Sequence, residues 1–183
     1  MSFSQELRGK IIANSYKQWN ISDTKVLDVG CGNGVVTDVL KNDLGIDVHG
    51  TDIVDYRKVS IPFMKMNDED RLPCADGSFE YVMFNDMLHH TQHIEALLQE
   101  GRRAGQKILI FEDVKTWFLR IFDPFVNSFH LHGMKPAINF KNVQEWCRLF
   151  DLLGFQYEIG KVSYPFWYPF RHMVFKLQPK KSR

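Results

Sequence analysis

In the stretch Lys25-Val-Leu-Asp-Val-Gly-Cys-Gly-Asn-Gly-Val-Val36, an apolar strand pattern ends at three glycines in alternate positions and passes into a helix pattern. Glycine tolerates a positive φ and, having no side chain, lets a ligand lie directly on the main chain. A second short strand pattern, Val48 to Thr51, leads to Asp52. At the carboxyl edge of an open α/β sheet, a glycine turn and an acidic residue after the second strand hold a nucleoside. The sequence therefore predicts an adenosine-containing cofactor.

The spacing of the glycines bears on the kind of cofactor. The dinucleotide fingerprint G-x-G-x-x-G places a pyrophosphate at a helix N-terminus. Gly30 and Gly32 fit that fingerprint, but Val35 stands where its third glycine belongs. Asp28, which opens the loop, would repel a pyrophosphate because two anions would come close together. An ammonium or a sulfonium group fits this loop better. The alternative is that the loop binds a dinucleotide and that the protein is a nicotinamide dehydrogenase.

Length and composition narrow the class of protein. A chain of 183 residues is long enough for one domain with a sizeable core. The formal net charge of +1 provides no overall field that would attract nucleic acid or an anionic membrane. Three cysteines without metal-like spacing favour a reducing compartment. With no signal-peptide pattern and no apolar run of about 20 residues, the expectation is a cytoplasmic protein without a membrane span.

The periodicity of the chain predicts alternating strands and helices. An amphipathic helix is expected within residues 1–20, and the crossover at 53–62 has no helical period. Further helices are expected at Val35–Leu44, Ile94–Arg103 and Val143–Leu153. Strands are expected at Lys25–Val29, Asp47–Thr51, Phe63–Met66, Tyr81–Phe84, Lys107–Phe111, Phe155–Val162 and His172–Leu177. This order predicts a doubly wound, Rossmann-like α/β sheet.

At the glycine loop and Asp52, the sequence resembles the class I S-adenosylmethionine-dependent methyltransferases. The segment Asn67-Asp-Glu-Asp-Arg-Leu-Pro-Cys-Ala-Asp-Gly-Ser-Phe-Glu80 is similar to the family motif Asp-Ala-x-x-Leu-Pro-Phe-x-Asp-x-Ser-Phe-Asp. The likeness is closest to the small-molecule branch that includes the ubiquinone and menaquinone biosynthesis methyltransferases. It implies a single methyltransferase domain over residues 1–183, with a seven-stranded, mostly parallel sheet and an antiparallel C-terminal strand. It also implies S-adenosyl-L-methionine as the methyl donor and S-adenosyl-L-homocysteine as its product.

The resemblance implies roles for individual residues around the methionine part and the ribose of this cofactor. Gly30, Gly32 and Gly34 are expected to let main-chain groups meet the methionine part. Asp28 is expected to orient its ammonium group, directly or through water. Asp52 is expected to accept both ribose hydroxyls, which makes two charge-assisted hydrogen bonds to one carboxylate.

Four further residues are expected near the adenine and the transferred methyl group. Ile53 would pack on the adenine face, and Asn85, directly after the fourth strand, would line the methionine moiety and the methyl-transfer channel. Asp68 would accept from the adenine amino group, with Glu69 contributing its backbone. The structural alternatives are a plain tight turn at the glycines, a solvated helix cap at Asp52 and a charged exposed turn at Asp68.

Three histidines follow the fourth strand, close to where the methyl group should point. His90 or His89 is the candidate general base, which the reaction needs only when the acceptor must lose a proton. The alternative is that the paired histidines only support the loop. Asp86, His89 and His93 would have metal-ligand spacing if this segment were helical, but no metal is expected.

The long connection at residues 113–142 is a candidate substrate lid. Its ring-bearing residues are Trp117, Phe118, Phe122, Phe125, Phe129, His130, His132 and Phe140. They predict either a pocket for a planar or apolar small molecule or a small helical subdomain with its own core. The aromatic run at 164–170 would add a second wall or a contact within a homo-oligomer. A protein or RNA methyltransferase and a cofactor-binding but non-catalytic partner subunit are the alternative functions.

Overall fold

The computed structural model describes residues 3–114, 139–166, 168 and 170–180 of the 183-residue chain. Its helices are α1 (Phe3–Tyr16), α2 (Val35–Leu44), α3 (Ile94–Ala104) and α4 (Val143–Leu152), with 3-10 turns at Lys17–Trp19 and Leu88–His90. Its strands are β1 (Lys25–Val29), β2 (Asp47–Asp52), β3 (Phe63–Lys65), β4 (Phe79–Asn85), β5 (Gly105–Asp113), β6 (Phe155–Ile159) and β7 (His172–Pro179). The predicted substrate lid lies outside the described residues, except for its two ends at 113–114 and 139–142.

The strands form one seven-stranded sheet in the order β3-β2-β1-β4-β5-β7-β6. The first five strands in this order are parallel to one another, whereas β7 is antiparallel to both β5 and β6. Parallel neighbours need crossover connections, which α2 provides between β1 and β2 and α3 between β4 and β5. The strand order reverses between β1 and β4, so a crevice opens at their carboxyl ends. The predicted Rossmann-like, mostly parallel sheet is confirmed.

The sheet is buried on both faces, which explains the continuous apolar runs in its central strands. One core cluster packs a face of the sheet against α3 and α4 and includes Leu27, Phe84, Leu98, Phe150 and Phe175. The other packs the opposite face against α1 and α2 and includes Ile12, Tyr16, Val26, Leu40 and Val174. Neighbouring residues of a strand point to opposite faces, so β1 contributes to both clusters. No helix in the described part of the chain has the length and apolarity that a bilayer crossing requires.

Several element boundaries differ from the predicted ones. β5 spans Gly105–Asp113 and is therefore longer at both ends than predicted, while β6 ends at Ile159 instead of residue 162. After β6, the main chain of Lys161 turns to the side chain of Gln18: its N–H donates to Gln18 Oε1 at 3.1 Å, and its carbonyl accepts from Gln18 Nε2 at 3.2 Å. This contact lies between distant parts of the sequence, so a local pattern could not predict it.

The crossover between β2 and β3 contains no helix, as predicted. The Arg57 side chain orders this segment, because its Nε donates to Asp55 Oδ1 at 2.8 Å and its guanidinium lies 4.5 Å from the Phe63 ring centroid. The Lys58 N–H then donates to the carbonyl of Asn33 at 2.8 Å. The irregular crossover is thereby attached to the glycine loop, next to the crevice.

Candidate cofactor and acceptor site

The glycine loop between β1 and α2 has the backbone that its sequence predicts. Gly30, Gly32 and Gly34 have positive φ values of 73°, 57° and 80°. The N–H groups of Gly30 and Cys31 both donate to the carbonyl of Thr51, at 2.8 and 3.2 Å. The loop is therefore attached to the end of β2, and its conformation favours glycine at three positions.

Asp52 is bonded to the glycine loop through its side chain. Its Oδ2 accepts from the Gly32 N–H at 2.9 Å, and its Oδ1 accepts from the Ile53 N–H at 2.8 Å. Each carboxylate oxygen can accept a further hydrogen bond, and Asp52 is only partly buried. Among the described atoms, a Cβ added to Gly32 would meet only the Tyr56 hydroxyl within 4 Å, at 3.5 Å. The bare main chain and the carboxylate therefore fit the ribose hydroxyls of the expected cofactor.

Asp28 is buried near the end of β1 within a chain of hydrogen bonds. Its Oδ2 accepts from the Thr37 hydroxyl at 2.5 Å, and its Oδ1 accepts from Asn85 Nδ2 at 2.8 Å. Asn85 Oδ1 accepts in turn from the Tyr16 hydroxyl at 2.7 Å. Burial raises the pKa of Asp28 to about 6, although its two hydrogen bonds oppose the shift. Neither bonded partner is cationic, so an ammonium group nearby would stabilise the ionised carboxylate.

Gly30→Ala is expected to lower the free energy of unfolding by about 2–5 kcal/mol. A left-handed backbone costs an alanine roughly 1–2 kcal/mol. In addition, the new Cβ would lie 3.0 Å from Met87 Cβ, and such overpacking costs about 1–3 kcal/mol. Urea unfolding followed by circular dichroism measures the loss.

The matched control is Gly77→Ala. Gly77 also has a positive φ, of 63°, but a Cβ there would have no described atom within 4 Å. We therefore expect this control to lose only the backbone contribution, roughly 1–2 kcal/mol. Equal losses in the two variants would contradict a close contact between the glycine loop and Met87.

The turn after β3 places Asp68 and Glu69 at the surface. Asp68 forms an isolated β-bridge with Arg71, and Glu69 Oε2 lies 3.9 Å from His93 Nε2. Within the described residues, no hydrogen bond joins either acid to the glycine loop. Ile53 is partly buried against the core cluster on the α3 face. The adenine contacts of these three residues stay predictions.

His89 is buried and lies against a carboxylate that the sequence patterns did not single out. Its Nδ1 is 2.6 Å from Glu112 Oε2, and its ring stacks on Phe140 with the centroids 4.7 Å apart. Burial opposes a charge on the ring, but the Glu112 carboxylate raises the pKa of His89 above its ordinary value. Glu112 Oε1 also accepts from the N–H groups of Met87 and Leu88, at 3.1 and 2.7 Å. Glu112 therefore fixes the histidine turn to β5.

His90 differs from its neighbour because it is exposed. Its ring lies against His89, with the centroids 3.9 Å apart. The surrounding protein atoms disfavour the charged ring, and repulsion from His89 adds to this effect, so the pKa of His90 falls to about 4. His90 is therefore neutral at pH 7, with a ring nitrogen free of a proton.

The helical spacing considered for a metal site at Asp86, His89 and His93 is wrong. Asp86 has a positive φ of 51°, a 3-10 turn occupies Leu88–His90, and α3 begins only at Ile94. This broken backbone separates the side chains: His89 lies against the acid at the end of β5, and His93 lies against the surface turn after β3. The three residues are not brought together.

Helix α1 crosses this end of the sheet and contacts the site. Gln5 Oε1 accepts from Asn33 Nδ2 of the glycine loop at 3.1 Å. The Tyr16 hydroxyl reaches the end of β4, and Arg8 forms an ion pair with Asp86. The amphipathic pattern predicted the helix but counted Tyr16 only as an apolar residue, so these polar contacts were missed.

Glu112 is a second residue that the sequence patterns missed. It follows the apolar run of β5 at the carboxyl edge of the sheet, where Asp52 follows β2 in the same way. An acidic residue directly after an apolar strand pattern could therefore have identified Glu112 from the sequence as a candidate site residue. Two cavities lie beside Asn139: one of about 430 Å³ between α3 and α4, and one of about 460 Å³ against α4. Neither is lined by a residue of the glycine loop.

Comparisons with known proteins identify the family. The family profile described as a methyltransferase domain matches residues 4–158. A search of curated proteins by sequence gave no match. A similar solved structure is an S-adenosylmethionine-dependent methyltransferase from Thermotoga maritima, with a TM-score of 0.70 and 15% identity, covering 96% of this chain and 91% of that one.

Two further solved structures have similar folds. Magnesium protoporphyrin IX methyltransferase from Synechocystis, with bound S-adenosylhomocysteine, has a TM-score of 0.63 and 18% identity, covering 97% of this chain and 84% of that one. A chain from the complex between the Haloferax volcanii Trm112 methyltransferase activator and a methyltransferase has a TM-score of 0.66 and 14% identity, covering 98% of this chain and 96% of that one. Because the family profile spans most of the sequence, this chain belongs to the methyltransferase domain family and is a class I S-adenosylmethionine-dependent methyltransferase.

Proposed function

We propose that this enzyme transfers a methyl group from S-adenosylmethionine to a small-molecule acceptor. The proposal rests on one observation above all: the positive-φ glycine loop and the Asp52 carboxylate are hydrogen-bonded into one unit at the reversal of strand order. That unit offers uncovered main chain and acceptor oxygens to a nucleoside. The cofactor supplies an activated methyl group when it is bound.

In this proposal, residues of the chain bind the cofactor and orient it. Asp52 accepts hydrogen bonds from two vicinal hydroxyls, because each of its oxygens has a free lone pair beside the main-chain N–H that it already accepts. Asp28 and Asn85 offer the ionised carboxylate and amide on which an ammonium group is oriented. The other residues proposed to contact the cofactor are Gly30, Gly32, Gly34, Ile53, Asp68 and Glu69.

His90 is proposed as the base that removes a proton from the acceptor. It is exposed and unprotonated at neutral pH, whereas Nδ1 of His89 lies on Glu112. His89 and Glu112 would position the turn that carries His90. Holding the acceptor in line with the methyl group would supply most of the remaining acceleration.

A small and planar or apolar acceptor is favoured over a macromolecule. The net charge of +1 gives little of the counterion release on which nucleic-acid affinity depends. Phe140 stacks on His89 beside the proposed base, and Tyr164, Tyr168 and Phe170 form a second aromatic group. Three further points stay predictions: membership in the ubiquinone and menaquinone branch, a homo-oligomer and a cytoplasmic location. The three free thiols support the cytoplasmic location.

The test is methyl transfer from radiolabelled S-adenosylmethionine by the full chain. Acceptors would be hydroxyl- and amine-bearing aromatic molecules, with total RNA and denatured protein in parallel reactions. Label in the small molecules is the expected result. Label only in RNA or in protein would contradict the proposed acceptor class.

His90→Asn is expected to lower kcat by about 10²–10⁴-fold for an acceptor that must lose a proton, since that is the usual contribution of a general base. The affinity for S-adenosylhomocysteine should not change. His49→Asn, a partly exposed histidine on β2, is the control. An unchanged kcat in the His90 variant would rule this base out.

A partner-dependent function is the second candidate. It is favoured by the similarity to the Haloferax volcanii chain, which was solved with a methyltransferase activator. Turnover that appears only when a second polypeptide is added would support this candidate. Turnover by the isolated chain would exclude it.

A further inference from the structure

A second cluster of polar side chains lies beside the proposed site. Asp86 follows β4, Asp113 ends β5 and His172 begins β7, directly opposite Asp113 in the antiparallel register. One potential ligand atom from each residue lies within 4.8 Å of the other two. Donors bonded to one ion at about 2.0–2.2 Å can be at most about 4.4 Å apart. Only a small contraction would therefore bring all three onto one metal ion.

Arg8 partly neutralises this cluster from α1. Its Nε pairs with Asp86 Oδ2, and its Nη2 lies 3.5 Å from Asp113 Oδ2. The other oxygen of each carboxylate, Oδ1, is buried without a hydrogen-bond partner among the described residues. One guanidinium is thus shared between two carboxylates, and the His172 ring also lies against them, with Nε2 at 2.8 Å from Asp113 Oδ1. Buried carboxylates are stable only when they are paired or bound to a metal.

The His172 side chain is fully buried and its orientation suits a ligand. Its Nε2 lies 2.8 Å from Asp113 Oδ1 but is not aligned to donate a hydrogen bond, so neither ring nitrogen has a hydrogen-bond partner in the described part of the chain. Phe111 stacks on the ring at 4.6 Å, and the Tyr164 hydroxyl bonds both main-chain groups of His172. The imidazole is therefore held toward the two carboxylates.

We propose that Asp86, Asp113 and His172 bind a divalent metal ion. Two carboxylate oxygens and one imidazole nitrogen form a mixed set that suits Mn²⁺ or Zn²⁺. The atoms are too deeply buried for a larger ligand. The ion would join the ends of β4, β5 and β7, and it would compete with Arg8 for the two carboxylates. The site does not depend on the identity of the methyl acceptor.

Mn²⁺ binding to the metal-free full chain, followed by electron paramagnetic resonance, tests the proposal. We expect one bound ion per chain and a higher melting temperature in Mn²⁺, because a ligand of the folded state stabilises it. His172→Gln should lose both effects. His49→Gln is the matched control, since the partly exposed His49 lies 3.7 Å from the exposed Asp47, and this variant should bind Mn²⁺ like the parent.

Arg8→Gln separates a metal site from a purely structural cluster. Removing the competing cation should tighten Mn²⁺ binding by about tenfold or more, and a gain in affinity cannot result from misfolding. No Mn²⁺ or Zn²⁺ binding by the parent chain would overturn the proposal. Undiminished binding in His172→Gln or weaker binding in a folded Arg8→Gln variant would overturn it as well.

Discussion

Asp52→Ala is expected to weaken binding of S-adenosylhomocysteine by at least about 100-fold in calorimetric titration. The carboxylate is proposed to accept two hydroxyl groups, and hydrogen bonds to a charged group contribute about 1.5–3 kcal/mol each. A loss of roughly 3 kcal/mol or more corresponds to a factor above 100 in the dissociation constant. The variant also removes the partner of the Gly32 N–H, so the loop that carries the cofactor should loosen.

Two further variants make this result interpretable. Asp47→Ala removes an exposed carboxylate from the opposite end of the same strand and should leave affinity unchanged. Asp52→Asn keeps the shape but not the charge, so an intermediate loss of about tenfold is expected. Circular dichroism reports whether the variants are folded. If folded Asp52→Ala bound the nucleoside as the parent does, the proposed cofactor site would be wrong.

Asp28→Asn is expected to stabilise the free protein at pH 8 while weakening cofactor binding. Burial raises the pKa of Asp28 from 3.8 to about 6, which corresponds to about 3 kcal/mol. Because the raised pKa belongs to the folded state, protonated Asp28 stabilises the folded protein relative to the unfolded chain. This contribution to the free energy of unfolding is complete below about pH 4 and is lost as the pH rises through 6. Above that pH the folded protein holds an ionised, buried carboxylate, which an asparagine replaces with a neutral group.

The measurement is urea unfolding at pH 4, 6 and 8. The advantage of Asp28→Asn should grow from near zero at pH 4 to as much as about 3 kcal/mol at pH 8. Thr37 can keep its contact, because a hydroxyl group both donates and accepts. Asp43→Asn, a surface carboxyl on α2, is the matched control. An advantage that is the same at all three pH values would show that titration of Asp28 is not its cause.

Cofactor affinity should change in the opposite sense. Binding an ammonium requires the ionised form of Asp28, so the affinity of the parent chain should fall as the pH drops below about 6. Asp28→Asn should bind weakly with little dependence on pH between 5 and 8. A parent affinity that stays constant through pH 6 would contradict a role for Asp28 at the ammonium group.

The features that the sequence could predict depend on neighbours along the chain. Gly30, Gly32 and Gly34 have positive φ as expected, because a tight turn from strand to helix requires a residue without a side chain. The alternation of strand and helix patterns predicted the parallel sheet. The same order placed Asp28, Asp52 and Asn85 at one edge, since parallel strands end on the same side.

What only the tertiary structure decided are the pairings between residues far apart in sequence. No local pattern relates His89 to Glu112 or Arg8 to Asp86, yet the first contact holds the buried His89 against β5 and the second attaches α1 to the residue after β4. The raised pKa of Asp28 likewise comes from its burial, which depends on how α1 and α2 pack over the sheet. Residue type and spacing therefore determined where the crevice lies, whereas packing determined the charge and hydrogen-bonding state of the groups within it.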